Sequence, residues 1–170
     1  MSGPTGIGKT RCAFEFGHLV SSEGVWISAG SLRWFDGYDG QRVAIFDDIR
    51  TKHTSFDMLL RLLDRYPLRV EFKGGFVDWN PSFIIITAPL GPRAMWNLRR
   101  DEDLDQLVRR VTIHLELTAD STYESIMEEL GQYIPAFTDI DPNATRAIPA
   151  GPTEGGGSTI PSASSSTVSL

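Results

Sequence analysis

The chain has 170 residues, 41% of them hydrophobic and 10% aromatic, which is enough for a core and excludes wholesale disorder. Its one cysteine, Cys12, excludes an intrachain disulfide framework and a multi-cysteine zinc site, and the scattered His18, His53 and His114 have neither metal-ligand nor triad spacing. The net charge of −6 speaks against a nucleic-acid partner only until it is located: residues 118–170 hold seven acids and one base, residues 1–117 hold fifteen of each sign, and residues 42–73 are locally basic.

The periodicity predicts an α/β protein. Thr10 to Ser22 reads as a helix, Gly24 to Ser28 as a short strand, and Arg42 to Phe46 as a strand that ends in Asp47-Asp48. Ser55 to Tyr66 is strongly amphipathic, with Phe56, Leu59, Leu60 and Leu63 on one face and Pro67 as its stop. Leu68 to Lys73, Gly74-Gly75 and Phe76 to Trp79 read as a hairpin. Phe83 to Thr87 is a solid apolar run, the pattern of a strand buried on both faces. Glu102 to Arg110 is expected as a helix, Val111 to Leu117 as a last strand and Ser121 to Tyr133 as a closing helix. Strands between helices argue for a largely parallel sheet. The folded part is placed at 1–138. The remainder, 139–170, reads as a disordered tail rich in Pro, Gly and Ser that cannot bury enough surface to offset its ordering entropy. The apolar runs are too short to cross a membrane, and the N-terminus lacks the charged and apolar regions of a signal peptide, so the expectation is a soluble, reduced, intracellular protein.

Gly3-Pro4-Thr5-Gly6-Ile7-Gly8-Lys9-Thr10 matches the pattern G-x-x-x-x-G-K-[ST] in full and runs directly into a helix. Glycines let backbone N–H groups turn inward to cradle phosphates, Lys9 reaches the outer phosphate oxygens, and the Thr10 hydroxyl is offered to Mg²⁺. A nucleoside triphosphate with Mg²⁺ is the implied ligand; the alternative is a chance glycine-rich turn. The strand ending at Asp47-Asp48, 38 residues after Lys9, is a Walker B candidate, with Asp47 for the metal and Asp48 for water activation. Strands also end in Asp at ordinary turns.

Thr87, at the end of its apolar run, would lie near the γ-phosphate if that strand neighbours the Walker B strand. Lys73, at a glycine-tipped turn with Gly74, projects a positive charge suited to a phosphodiester backbone, or is a solvated surface lysine. Arg109-Arg110 closes a helix and would suit a neighbour's γ-phosphate, or pairs with the nearby acids Asp101, Glu102, Asp103 or Asp105. Trp34, Phe35 and Tyr38 could stack on bases, although packing is the commoner use of such residues.

Taken in order, these motifs resemble the superfamily 3 helicase domain of the Rep replication initiators of circular single-stranded DNA viruses, the circoviruses and relatives. The matching stretches are Gly3 to Thr10, Trp34 to Gly40, Val43 to Ile49, Leu60 to Glu71 leading to Lys73-Gly74-Gly75, Phe83 to Thr87, and Gln106 to Thr112, within residues 1–117. The resemblance implies a P-loop NTPase of the AAA+-like class with a central, mainly parallel sheet. It implies hexamers that couple ATP hydrolysis to 3′→5′ movement on single-stranded DNA during rolling-circle replication in the host nucleus. Lys73 and Gly74 then resemble the ring-pore hairpin that grips the strand. Arg109 or Arg110 resembles the trans-acting arginine finger, Arg110 being favoured because it directly precedes the apolar run.

Two departures stand out. The family strand commonly ends Thr-Ser-Asn, whereas this chain reads Thr87-Ala88-Pro89, so γ-phosphate sensing would fall to Thr87. Met1 lies two residues before Gly3, so the strand that feeds the loop, the nicking domain and the oligomerisation segment are not in this sequence, and the expectation is a C-terminal portion of Rep without nicking activity. The other readings are a catalytically inactive fragment that binds nucleic acid and a related helicase of an RNA virus. A GTPase-like switch is disfavoured, because no Asn-Lys-x-Asp signature occurs.

Overall fold

The computed structural model describes residues 1–135; the expected boundary at 138 and the tail 139–170 lie outside the described residues. In chain order the elements are α1 (Lys9–Val20), β1 (Val25–Ile27), β2 (Val43–Phe46), α2 (Phe56–Leu62), β3 (Leu68–Phe72), β4 (Gly75–Trp79), β5 (Phe83–Ile86), α3 (Pro92–Met95), α4 (Asp101–Val108) and α5 (Tyr123–Gly131). β1, β2 and β5 form a parallel sheet in the order β1-β2-β5, with Val25 opposite Val43 and Val43 opposite Phe83. β3 and β4 form a separate antiparallel hairpin. The mixed α/β class with a parallel sheet agrees with the sequence expectation.

The central strand β2 is buried along its whole length because alternate residues serve opposite faces. Val43 and Ile45 pack with Cys12, Ala13 and Phe16 of α1 and with Ile126 and Leu130 of α5. Ala44 and Phe46 face an aromatic cluster with Trp26, Phe35, Tyr38 and Trp79. Trp79 is 1% exposed, stacks on Phe46 with centroids 5.7 Å apart, and donates its indole N–H to Leu62 O at 3.0 Å. Phe35 and Tyr38 are therefore core residues, and the hairpin is attached to the sheet through Trp79.

Three expectations change. Val111–Leu117 does not form a strand. Residues 111–117 make one isolated parallel bridge, Ser2 to Glu116, with Ser2 N–H donating to Leu115 O and Leu117 N–H to Ser2 O. The reason is a missing neighbour along most of its length. A cavity of about 460 Å³ separates this segment from β5, lined by Met1, Ile84, Ile86, Met95, Trp96 and Leu115.

The same cavity explains the second change. All four residues of β5 are partly exposed rather than buried on both faces, since β2 covers one edge and the other borders the cavity. Third, α2 ends at Leu62 rather than Tyr66. It starts as expected, with Ser55 Oγ accepting the Met58 N–H. Just past its end, the Asp64 carboxylate accepts the Arg65 N–H and an Arg110 guanidinium N–H, local bonds that compete with the helical pattern. The short α3 was not apparent in the periodicity.

Candidate functional site

The loop Gly3–Gly8 connects the bridge at Ser2 to the first turn of α1, and its geometry needs glycine. Gly3 has φ 149, and a Cβ there would sit 2.4 Å from Leu117 O. Gly8, the N-cap of α1, has φ 87, in the left-handed region. It gives the helix no side-chain cap, and the first turn carries no acid, so the helix N-terminus presents its N–H groups and positive dipole end towards the loop. Inside the loop, Lys9 is 8% exposed and its Nζ donates to Gly3 O at 2.8 Å and Pro4 O at 2.6 Å. Burial lowers the Lys9 pKa, while the nearby carboxylates of Asp48 and Asp47 push it back up.

Parallel pairing of β2 with β5 brings their C-terminal ends to this loop. Thr10 Oγ1 donates to Asp47 Oδ1 at 2.7 Å, and Thr87 Oγ1 donates to the same oxygen at 2.8 Å. The Thr87 hydroxyl also accepts the Asp48 N–H at 2.8 Å, and Ser28 Oγ accepts the Asp47 N–H at 3.0 Å. Asp48 has φ 44, unusual for a residue other than glycine, and its half-exposed carboxylate pairs with Arg50 at 3.0 Å. The structure thus gathers Thr10, Asp47 and Thr87 into direct contact, with Lys9 and Asp48 close by.

Two participants were not found from the sequence. Ser28 ends a strand like many other serines, and Arg50 was readable only as a cation two residues beyond a pair of acids.

The residues fit a phosphate and a divalent cation in outline. None of them lines the cavity described above, so the candidate site is the open loop at the strand ends rather than that largely apolar cavity. Among the described residues, no cluster of three His, Cys, Asp or Glu side chains could hold a metal unaided. One hydroxyl and one carboxylate oxygen at Thr10 and Asp47 suit Mg²⁺, which keeps several waters and takes phosphate oxygens as further ligands.

The remaining predicted residues lie elsewhere. Lys73 and Gly74 form the tip of the β3–β4 hairpin, where Gly74 has φ 128 and Lys73 is exposed. Arg110 is already engaged: Nη2 donates to Asp64 Oδ2 at 2.8 Å and Nη1 to Gln106 O at 2.7 Å. This bond holds the Asp64 carboxyl below its ordinary range. Arg109 is exposed and donates through Nε to Asp105 O. Neither arginine touches Lys9, Thr10, Asp47 or Asp48.

A family model described as RNA helicase matches residues 1–89, just over half of the chain. The chain belongs to that family. The matched part of this helicase-family chain contains the loop, Asp47-Asp48, the hairpin and Thr87, while Arg109-Arg110 lies beyond it.

Relatives carry the likeness further along the sequence. The replication-associated protein of Goose circovirus is 42% identical over 118 residues, 69% of this chain and 38% of that protein. That of Porcine circovirus 2 is 36% identical over 132 residues, 78% of this chain and 40% of the relative. A replication protein of Onion yellows phytoplasma is 28% identical over 129 residues, 74% of this chain and 34% of the relative. The helicase-family chain therefore spans about two fifths of the length of the curated circovirus relatives it matches. Among the described residues no helix is long and apolar enough to cross a membrane.

Proposed function

We propose that this chain is the ATP-hydrolysing motor of a viral replicative helicase, a P-loop NTPase domain over residues 1–138 that acts on single-stranded DNA. The observation that carries the reading is the meeting of Thr10, Thr87 and Asp47 at one oxygen beside the Lys9 loop. Three separate sequence motifs converge there, and the replicative role comes from the printed names of the relatives.

Lys9 exchanges its two loop carbonyls for the outer phosphate oxygens, which its low exposure makes a strong, weakly screened contact. Gly3, Pro4, Thr5, Gly6, Ile7 and Gly8 supply the backbone cradle. Thr10 and Asp47, hydrogen-bonded to each other in this structure, are the residues that would hold Mg²⁺. When bound, that ion neutralises charge developing on the phosphates. Asp48, its carboxylate directed by the Arg50 guanidinium, orients the attacking water. Thr87 takes the sensing position, since it already bonds both to the metal-holding carboxylate and to the backbone of Asp48.

In a ring of identical subunits, which the motif resemblance leads us to expect as a hexamer, Arg109 is the arginine offered to the neighbouring site. Arg110 keeps its bond to Asp64, so it braces α4 instead. Lys73 and Gly74 meet the strand. Host-nuclear replication of a circular genome is the setting this reading implies.

The deciding experiment measures ATP hydrolysis with and without single-stranded DNA, using Lys9→Ala as reference. DNA-stimulated turnover that disappears in the variant is expected. A Lys9→Ala chain that hydrolyses ATP normally sinks the site assignment. Equal background rates from folded wild-type and variant chains favour a nucleic-acid-binding remnant instead. Because the matching family is described as RNA helicase, a single-stranded RNA arm belongs in the same assay, and stronger stimulation by RNA would reassign the strand.

A further inference from the structure

The tip of the β3–β4 hairpin is held by a residue outside the hairpin that takes no part in the nucleotide site. The segment at Phe35 and Asp36 runs alongside β3, where the Phe35 N–H donates to Glu71 O at 2.9 Å. Two residues further, in the turn, the Lys73 N–H donates to Asp36 Oδ1 at 2.7 Å. The other oxygen of that carboxylate, Oδ2, lies 3.5 Å from Lys73 Nζ. Asp36 is itself anchored, since its carbonyl accepts the Trp26 indole N–H at 3.0 Å. Trp26 is 5% exposed on β1 and stacks on Phe35 with centroids 5.4 Å apart.

These contacts form one connected path. β1 pairs with β2, and β2 leads directly into Asp47 and Asp48. Trp26 leads from β1 to Asp36, and Asp36 leads to Lys73. The ladder between the two strands ends at Phe72 opposite Gly75, so the Lys73 N–H lies in the turn and has no cross-strand partner. An isolated two-stranded hairpin is marginal in water. A charged acceptor that fixes the first turn residue from outside is therefore the natural constraint on where the lysine points. The ammonium contact is exposed on both sides and contributes little, so the backbone bond is the part that positions.

We propose that Asp36 is the positioning residue of the nucleic-acid hairpin. Its Oδ1 holds the Lys73 backbone in place, and its carbonyl ties the tip through Trp26 to the strand layer that carries Asp47 and Asp48. When a strand arrives, the ammonium turns from Oδ2 to a phosphate while the backbone bond stays. This rests on the reading above in which Lys73 meets the phosphodiester backbone.

The test combines binding of a fluorescein-labelled oligothymidylate, followed by anisotropy, with hydrogen exchange at the Lys73 amide of the full chain. Lys73→Ala is expected to weaken binding roughly tenfold through loss of the phosphate contact. Asp36→Ala is expected to weaken it at least about fivefold and to strip protection from the Lys73 amide, with little change in melting temperature. Asp36→Asn keeps an oxygen that accepts the same N–H, and is expected to hold affinity within about twofold of wild type.

Normal binding by Asp36→Ala beside weakened binding by Lys73→Ala overturns the positioning role. So does Asp36→Asn binding as weakly as Asp36→Ala. A Lys73 amide that exchanges in the wild-type chain as fast as open loops overturns it with no variant needed. Normal binding by Lys73→Ala instead overturns the underlying reading of the hairpin, which keeps the two failures apart.

Discussion

Thr87 donates its hydroxyl proton to Asp47 Oδ1 at 2.8 Å across a gap of 40 residues, and the same oxygen of Thr87 accepts the Asp48 N–H. One side chain, 1% exposed, thus sets both acids that follow β2. Thr87→Val keeps the volume and removes the hydroxyl, leaving the Asp48 N–H without its acceptor. A loss of about 1–3 kcal/mol in urea unfolding is expected, with a fall in ATP turnover. Thr87→Ser keeps both bonds and is expected to retain turnover. A Val variant as stable and as active as wild type would show that this hydroxyl organises nothing.

Arg50 is expected to matter for turnover more than for folding. Its pair with Asp48 is about half-exposed on each side, so Arg50→Ala should change stability by no more than about 0.5 kcal/mol. The carboxylate of Asp48 then loses the fork that fixes its direction, and turnover is expected to fall by about tenfold, since a water-orienting group acts only from the right position. Comparing kcat with the melting curve separates the two effects.

The two arginines after α4 should behave oppositely. Arg110→Ala breaks a bond in which both side chains are 28% exposed, and is expected to cost about 1 kcal/mol of folding stability. The folded-state pKa of Asp64 is depressed below 3.8, chiefly by the Arg110 hydrogen bond, so its stabilisation is present above that value and is lost as pH falls through the folded pKa. Acid unfolding curves of Arg110→Ala should be flatter over that window. Arg109→Ala should leave stability unchanged and remove activity that depends on a neighbouring subunit. Mixing Arg109→Ala with Lys9→Ala chains should then restore part of the turnover at shared sites, whereas no restoration contradicts a trans role.

A chain with a free Met1 amine should gain stability as pH rises through neutrality. That amine donates to Ile86 O at 2.7 Å, and burial lowers its pKa from 8.0 to about 6. Between those values the unfolded chain binds more protons than the folded one, so stability rises with pH across the window, by about 2–3 kcal/mol in all. Urea midpoints measured across the range test this. Chain acetylated at Met1 should show a much shallower rise, and an equal rise would place the titration elsewhere.

Much of the site was legible because its residues are chemically distinctive and close in sequence. Eight consecutive residues from Gly3 to Thr10 carry the pattern proposed as a phosphate loop, and two acids after an apolar run mark the strand end proposed to face a metal. The hairpin was equally plain from Gly74-Gly75 between two alternating runs. Such signals are local, and local signals survive in a one-dimensional string.

What the sequence could not settle depended on which elements become neighbours. Thr87 earned a place in the site only through the parallel pairing of β2 with β5, a contact between residues about 40 positions apart. Arg109 and Arg110 are alike in sequence, and only packing gave Arg110 a carboxylate, Asp64, 46 residues away. Val111–Leu117 has the pattern of a strand yet forms none, because a strand needs a partner ladder and the cavity beside β5 withholds one. Asp36, given no role of its own within the stretch Trp34 to Gly40, reaches the hairpin tip 37 residues on only through the packing of that loop against β3. Sequence determined the chemistry each segment can offer; tertiary structure decided which of those groups meet, since hydrogen bonds and ion pairs act over a few ångströms of space and not along the chain.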